Sequence, residues 1–177
     1  FKVTVSSATA TLALAAVLGL VPQIFAEEVI FRGWLTQGLA LAFRRPLPAA
    51  LVSGVLFGSI HLPNGVPQAI SATIFGVIMA LIAMRLGGIA FTTGLHLVNN
   101  VFAAVVVVSG QDVFRGVPGV FSQSTPQLMA FDVAASSLAL ALLALAAGRF
   151  MGPKAPAEAS DAAPPAVGEP AHIPPRL

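Results

Sequence analysis

Long runs of apolar residues follow one another along this chain, separated by short segments that contain Pro or Gly. Four of these runs approach the roughly 20 residues that an α-helix needs to cross a bilayer. They are residues 48–62, 66–86, 88–109 and 127–148. Only 9 % of the chain is charged, against roughly 25 % in an average soluble domain. We therefore predict an all-α, polytopic transmembrane helical bundle surrounded by the lipid bilayer.

The beginning of the chain is also apolar, but it is too long for one span. A single helix over residues 3–43 would measure about 60 Å, twice the thickness of the hydrocarbon core. We predict that it breaks, tilts or doubles back, with Pro22 as the expected place. Residues 3–21 are then either a separate span or an extension of the next helix, which gives five or six spans in this chain.

Both ends of the chain carry further expectations. The first residue is Phe1 and no cleavable signal follows it, so we expect an N-terminally incomplete membrane core over residues 1–148. Residues 149–177 contain seven of the fourteen prolines, and we predict a disordered tail there.

The positions of Lys and Arg near the span ends predict how the chain is oriented. Arg44 and Arg45, Arg85, and the start of the tail at Arg149 lie on one side of the predicted bundle. Cytoplasmic loops are enriched in such residues. We therefore expect a multi-pass protein of a bacterial cell membrane with its tail in the cytoplasm.

Several function classes are excluded or disfavoured by what the sequence lacks. There is no Cys, which removes thiolate nucleophiles and Cys-ligated metal sites. No basic stripe with stacking aromatics is present, so we expect no nucleic-acid partner. Neither the His-Glu-x-x-His zinc motif nor the Gly-x-Ser-x-Gly motif of serine hydrolases occurs.

A few polar side chains nevertheless lie inside the predicted spans. An ionisable residue there costs about 2.5–3.5 kcal/mol on insertion scales, so it marks a functional site or a pairing. Three pairs have the i, i+4 spacing that places residues on one helix face. They are Glu28 with Arg32, Phe57 with His61, and His96 with Asn100.

Glu27 has no such partner. It lies about 100° around the helix from Glu28, so we expect that the two carboxylates cannot face the same partner. Glu28 would be neutralised by Arg32, which favours a structural role for that pair, while Glu27 points elsewhere in the bundle. Phe57 is most simply a packing residue, and His96 with Asn100 could equally be an interhelical hydrogen-bonding pair.

These residue types suit the hydrolysis of an amide. A carboxylate and an imidazole in a cavity of low dielectric can activate a water, and a second His with an Asn can stabilise the oxyanion. A zinc site formed by Glu27, His61 and His96 is an alternative by ligand type. The main prediction requires no metal and no cofactor.

The three pairs resemble the ordered motifs of a known family. "EEVIFRG" at 27–33, "FGSIH" at 57–61 and "HLVNN" at 96–100 are similar to the Glu-Glu-x-x-x-Arg, Phe-x-x-x-His and His-x-x-x-Asn motifs of the CAAX-protease and bacteriocin-processing family. This family comprises the Rce1-like (CPBP, Abi) intramembrane glutamic endopeptidases. The resemblance covers about residues 20–105.

The resemblance implies a role for each matching residue. Glu27 and His61 would activate the water, and His96 and Asn100 would form the oxyanion hole. Supporting roles would fall to Glu28, Arg32 and Phe57. Asn100, rather than Asn99, has the spacing of the motif.

The substrate stays open at this point. A peptide or protein associated with the membrane is expected. Two other functions are compatible with the sequence, a non-catalytic bacteriocin-immunity or membrane interaction protein on the same fold, and a proton-coupled transporter. No inverted repeat supports the transporter.

Overall fold

The structure, a computed structural model, describes residues 2–3, 6–109, 119–123 and 130–150. Helices make up nearly all of this part of the chain, as the sequence predicts. The α-helices are α1 (Ser7–Glu28), α2 (Thr36–Phe43), α3 (Pro46–Ser59), α4 (Val66–Leu86), α5 (Ala90–Val101) and α6 (Ala130–Phe150). Two π-helical segments, Val29–Leu35 and Phe102–Val106, and a 3₁₀ turn, Leu62–Asn64, complete the helical part.

Three short strands form a small sheet that the sequence analysis did not predict. They are β1 (Lys2–Val3), β2 (Val107–Ser109) and β3 (Phe121–Gln123), in the order β1-β3-β2. Strand β3 pairs antiparallel with β1 and parallel with β2. The sheet therefore joins the beginning of the chain to the end of the helix that carries His96. Residues 110–118 and 124–129, on either side of β3, lie outside the described residues.

Pro22 does not break the first helix, contrary to the prediction. The chain from Ser7 to Phe43 is one continuous helix of 37 residues, with Pro22 inside α1. Residues 3–21 are therefore not a separate span in this structure. Proline removes only one backbone hydrogen bond from the helix, and both its ring and Val21 are exposed. The helix interrupts its α geometry later, at the π-helical segment Val29–Leu35, and ends where Arg44 adopts φ 54°.

Helices α3 and α4 cross at very short distance because small residues face each other. A Cβ added to Gly76 would lie 3.0 Å from the Cα of Gly54 and 3.2 Å from the Cβ of Phe57. Buried alanines, including Ala50 and Ala80, continue the contact along both helices. Small side chains let helix backbones approach closely, as is typical of helix pairs in membranes. This crossing fixes the position of Phe57, whose ring lies against the guanidinium group of Arg32.

The outer surface of the described part is apolar. Leu14, Leu18, Trp34 and Leu41 on the first helix are each more than 60 % exposed. Two helical segments are long and apolar enough to cross a membrane, Ser7–Phe43 and Val66–Leu86, and three shorter apolar helices accompany them. The predicted count of five or six spans is not confirmed. Of the predicted disordered tail, Arg149 and Phe150 instead extend α6, and 151–177 lie outside the described residues.

Candidate active site

Glu28 lies at the centre of a fully buried cluster. Its Oε1 is 3.2 Å from a terminal nitrogen of Arg32, one helical turn away, and 2.9 Å from Nδ1 of His96 on α5. The exposed fractions of the three residues are 0 %, 1 % and 3 %. The predicted pairing of Glu28 with Arg32 is confirmed. Since a carboxylate only accepts hydrogen bonds, Nδ1 of His96 is the donor to Glu28.

Aromatic rings enclose the guanidinium group of Arg32. Its central carbon lies 4.1 Å from the ring centre of Phe57 and 5.9 Å from that of Phe75. Within the described residues, none of the three guanidinium nitrogens donates a hydrogen bond. Its charge is therefore stabilised by the Glu28 carboxylate and by the aromatic faces, an arrangement that favours arginine in interiors. Phe57 is thus both a packing residue and a partner of Arg32.

Glu27 also approaches His96, and this overturns an expectation. Its Oε2 lies 3.8 Å from Nε2 of His96, while its Oε1 accepts a hydrogen bond of 3.1 Å from the side chain of Gln23. The prediction that Glu27 and Glu28 cannot face the same partner is wrong. The imidazole carries a nitrogen on each side of its ring, so two carboxylates on neighbouring helix positions each reach a different nitrogen of one ring.

His61 follows α3 in the turn that precedes the 3₁₀ segment. Its Nδ1 is 2.8 Å from the carbonyl oxygen of Phe57, and since a carbonyl only accepts, Nδ1 carries the proton and Nε2 is the free acceptor. Within the described residues, no direct polar contact joins His61 to Glu27. The rings of Phe57 and His61 are 4.7 Å apart, and those of Phe57 and His96 are 5.9 Å apart.

The two asparagines that follow His96 are coupled to each other. The side-chain amide of Asn99 donates to Oδ1 of Asn100 over 3.1 Å. This bond occupies the carbonyl end of the Asn100 side chain and leaves its amide group available as a donor. The sequence analysis did not assign a role to Asn99, because this residue lacks the motif spacing. Its position next to Asn100 was the signal that could have indicated one.

A cavity of about 700 Å³ adjoins these residues. His61, His96 and Asn100 line it, and so does Gln23, one of the two residues in polar contact with Glu27. Gln23 is a second residue that the sequence analysis missed, although its i, i+4 spacing to Glu27 was visible. The other lining residues are mainly apolar side chains and uncharged polar ones from α4, α5 and α6, among them Gln68, Ser71, Ser136, Phe75, Leu95 and Leu140. Among the residues that the structure describes, no Asp, Glu, Lys or Arg lines this cavity.

In the described part of the chain, the ligands of the zinc alternative, Glu27, His61 and His96, do not come together as a metal site. Within residues 2–3, 6–109, 119–123 and 130–150, no group of three His, Asp or Glu side chains has the arrangement needed to hold a metal ion. The nearest arrangement pairs both glutamates with one imidazole, His96, and leaves His61 bonded to a carbonyl.

A protein-family model matches the part of the chain that carries these site residues. Residues 9–102 match the family model described as "Type II CAAX prenyl endopeptidase Rce1-like". The chain belongs to the Rce1-like family. The resemblance inferred from the three motifs is thereby confirmed, and all three lie inside the matched range. Helix α6, which supplies part of the cavity wall, lies beyond it.

A relative of this Rce1-like chain is known from a bacterium. The chain is 34 % identical over 141 residues to the "Uncharacterized protein YyaK" of Bacillus subtilis (strain 168), which covers 75 % of the chain and 47 % of the relative. The chain thus spans about half the length of this curated relative. No solved structure matches the chain. The family and the apolar helices together identify a membrane protein.

Proposed function

We propose that this chain is an intramembrane endopeptidase of the glutamic type. It hydrolyses a peptide bond near a membrane-associated segment of its substrate, without a metal. The observation that carries the proposal is the approach of Glu27 Oε2 to His96 Nε2, at 3.8 Å, beside a cavity that His61 and Asn100 also line. Two imidazoles and an amide line this cavity, and a carboxylate contacts one of the imidazoles; these are the groups that amide hydrolysis requires.

Glu27 acts as the general base. Its Oε1 is held by Gln23, so Oε2 is the oxygen that takes a proton from the attacking water. His61 assists from the cavity wall through Nε2, which is free to accept because Nδ1 donates to the carbonyl of Phe57. The proton taken up by Glu27 is then delivered to the leaving amine as the carbon–nitrogen bond breaks.

His96 and Asn100 stabilise the oxyanion that forms when water attacks the carbonyl carbon. Nδ1 of His96 donates to Glu28, so Nε2 donates to the oxyanion only when the ring carries both protons. Asn100 supplies the second donor through its amide group, which Asn99 orients. Preorganised donors of this kind typically lower the barrier by several kcal/mol.

The experiment that tests this function compares the membrane proteome of a deletion strain with that of strains expressing the wild type or a variant. We expect new peptide N-termini in the wild-type strain that disappear with Glu27→Gln and with His61→Gln. The matched control is His172→Gln, which changes the remaining histidine outside the family-matched range. Cleavage should persist in membranes treated with a chelator.

The alternative function gives the opposite pattern. A non-catalytic immunity or interaction protein would keep its biological activity in both Glu27→Gln and His61→Gln, and no N-terminus would depend on either residue. Loss of cleavage on chelation, restored by zinc, would instead replace the glutamic mechanism with a metal-dependent one.

A further inference from the structure

A second buried polar cluster lies one helical turn beyond the site. The hydroxyl of Thr36 lies 2.6 Å from the carbonyl oxygen of Phe31 and 2.8 Å from the hydroxyl of Ser53 on α3. The Ser53 hydroxyl is in turn 3.2 Å from the same carbonyl. Thr36 and Ser53 are 0 % and 1 % exposed. Neither residue belongs to a sequence motif of the proposed active site, and neither lines the cavity.

This cluster continues a pattern that already contains the site. On the first helix, Glu28, Arg32 and Thr36 follow at intervals of four residues, and on the next, Ser53 precedes Phe57 at the same interval. Arg32 lies over Phe57 and Thr36 bonds to Ser53. The two contacts are therefore successive connections between the same pair of helices. Only the second is a directional hydrogen bond, which fixes the axial register more strictly than a cation–π contact.

The π-helical segment Val29–Leu35 requires contacts that hold it in place. It lies between Glu28 and Thr36, and its i→i+5 bonds, such as the one from the Thr36 N–H to the Phe31 carbonyl, are rare and depend on their surroundings. A return to α geometry would rotate Glu28 and Arg32 relative to Thr36 by about 100°. The hydroxyls of Thr36 and Ser53 both lie within hydrogen-bond distance of the carbonyl oxygen of Phe31, a residue of this segment.

We propose that Thr36 and Ser53 are positioning residues, which hold the π-helical segment and the register of the first helix against α3. In this arrangement Arg32 stays over Phe57 and Glu28 stays at Nδ1 of His96. The effect on turnover rests on the proposed peptidase function, whereas the effect on the Glu28–His96 hydrogen bond does not.

The test measures that hydrogen bond directly in the full chain, reconstituted in lipid nanodiscs. With ¹⁵N-labelled histidine, the proton on Nδ1 of His96 should give a downfield NMR signal, assigned by its absence in His96→Gln. We expect the signal in the wild type and in Thr36→Ser, which keeps the hydroxyl, and its loss in the double variant Thr36→Val with Ser53→Ala. The matched control is Thr9→Val, since Thr9 is also buried and hydrogen-bonded on the same helix.

Turnover provides the second readout. The double variant should lower kcat about tenfold, the factor that corresponds to one buried hydrogen bond. Its KM should stay within about twofold of the wild-type value. Thr36→Ser, which keeps the hydroxyl, should have the kcat of the wild type. If the double variant does not fold, Thr36→Val alone is measured. It should fold because Ser53 still bonds to the Phe31 carbonyl, and it should lose the His96 signal because the Thr36–Ser53 bond between the helices is gone. An unchanged His96 signal in a folded variant that lacks the Thr36 hydroxyl would overturn the proposal. If neither the wild type nor any variant cleaves a peptide, the proposed function is wrong. The NMR signal of His96 then still tests the positioning role of Thr36 and Ser53.

Discussion

Glu27 and Glu28 are neighbours in the sequence, but their surroundings differ. Glu28 is fully buried between the charge of Arg32 and the imidazole of His96, whereas 19 % of the Glu27 side chain is exposed and its carboxylate is held by Gln23. The pairing of Glu28 with Arg32 was predictable from their i, i+4 spacing. That both carboxylates share His96 was not predictable, because the sequence does not show how α1 and α5 are rotated relative to each other.

This difference predicts unequal effects of the two substitutions on stability. Glu28→Gln keeps the shape of the side chain but leaves the buried charge of Arg32 uncompensated. It should therefore lower the free energy of unfolding by about 3–5 kcal/mol, whereas Glu27→Gln should change it by less than about 1 kcal/mol.

Unfolding of the purified variants by a denaturing detergent measures both effects. Equal destabilisation by the two substitutions would contradict the separate roles of Glu27 and Glu28.

At the scale of the elements, the boundaries of α4 (Val66–Leu86) were predictable to the residue. The sequence marks both ends, with Gly65 and Pro67 at the beginning and Gly87, at φ 72°, at the end. The first helix was not predictable in the same way. Pro22 signals a break, but the interruption lies at Val29–Leu35, where no residue type marks it. It is fixed by tertiary contacts that Thr36 makes with α3.

The crossing of α3 and α4 leads to a prediction about packing. Gly76→Ala places a methyl group 3.0 Å from the Gly54 backbone and 3.2 Å from Phe57, so the α3 backbone or the Phe57 side chain must shift by a few tenths of an ångström. We expect a loss of about 1–3 kcal/mol of unfolding free energy, together with reduced turnover, because Phe57 lies against Arg32.

The control for this variant is Gly38→Ala on α2. An added Cβ there meets nothing within 4 Å, and alanine favours helix by about 0.5–1 kcal/mol. This variant should be as stable as the wild type or more so. If Gly76→Ala behaves like Gly38→Ala in thermal unfolding, the close crossing is wrong.

At the scale of the whole molecule, one hydrogen bond joins two helix ends that charge placement predicts on the same side. A terminal nitrogen of Arg85, at the end of α4, donates to the carbonyl of Gly148 near the end of α6 over 3.3 Å. The ends of these two helices therefore lie close together. Because Lys and Arg are enriched in cytoplasmic loops, we expect both ends, together with Arg44 and Arg45, on the cytoplasmic side.

Because the chain has no Cys, a single introduced thiol reports this orientation without background. We expect Lys154→Cys to be protected from a membrane-impermeant maleimide in intact cells and to react after permeabilisation. Arg115 lies between the predicted spans 88–109 and 127–148, and thus on the opposite side of the predicted bundle. Arg115→Cys should therefore react in both conditions. Labelling of Lys154→Cys in intact cells would contradict a cytoplasmic tail.

The central claim is that Glu27 activates the water that cleaves the peptide bond. It is tested most directly by the single-turnover rate of the purified wild type and of Glu27→Gln on a substrate peptide identified from the membrane proteome. We predict that Glu27→Gln lowers this rate at least about 100-fold, the contribution expected of a general base, and leaves peptide binding unchanged. A Glu27→Gln protein that cleaves the peptide at the wild-type rate would contradict the claim.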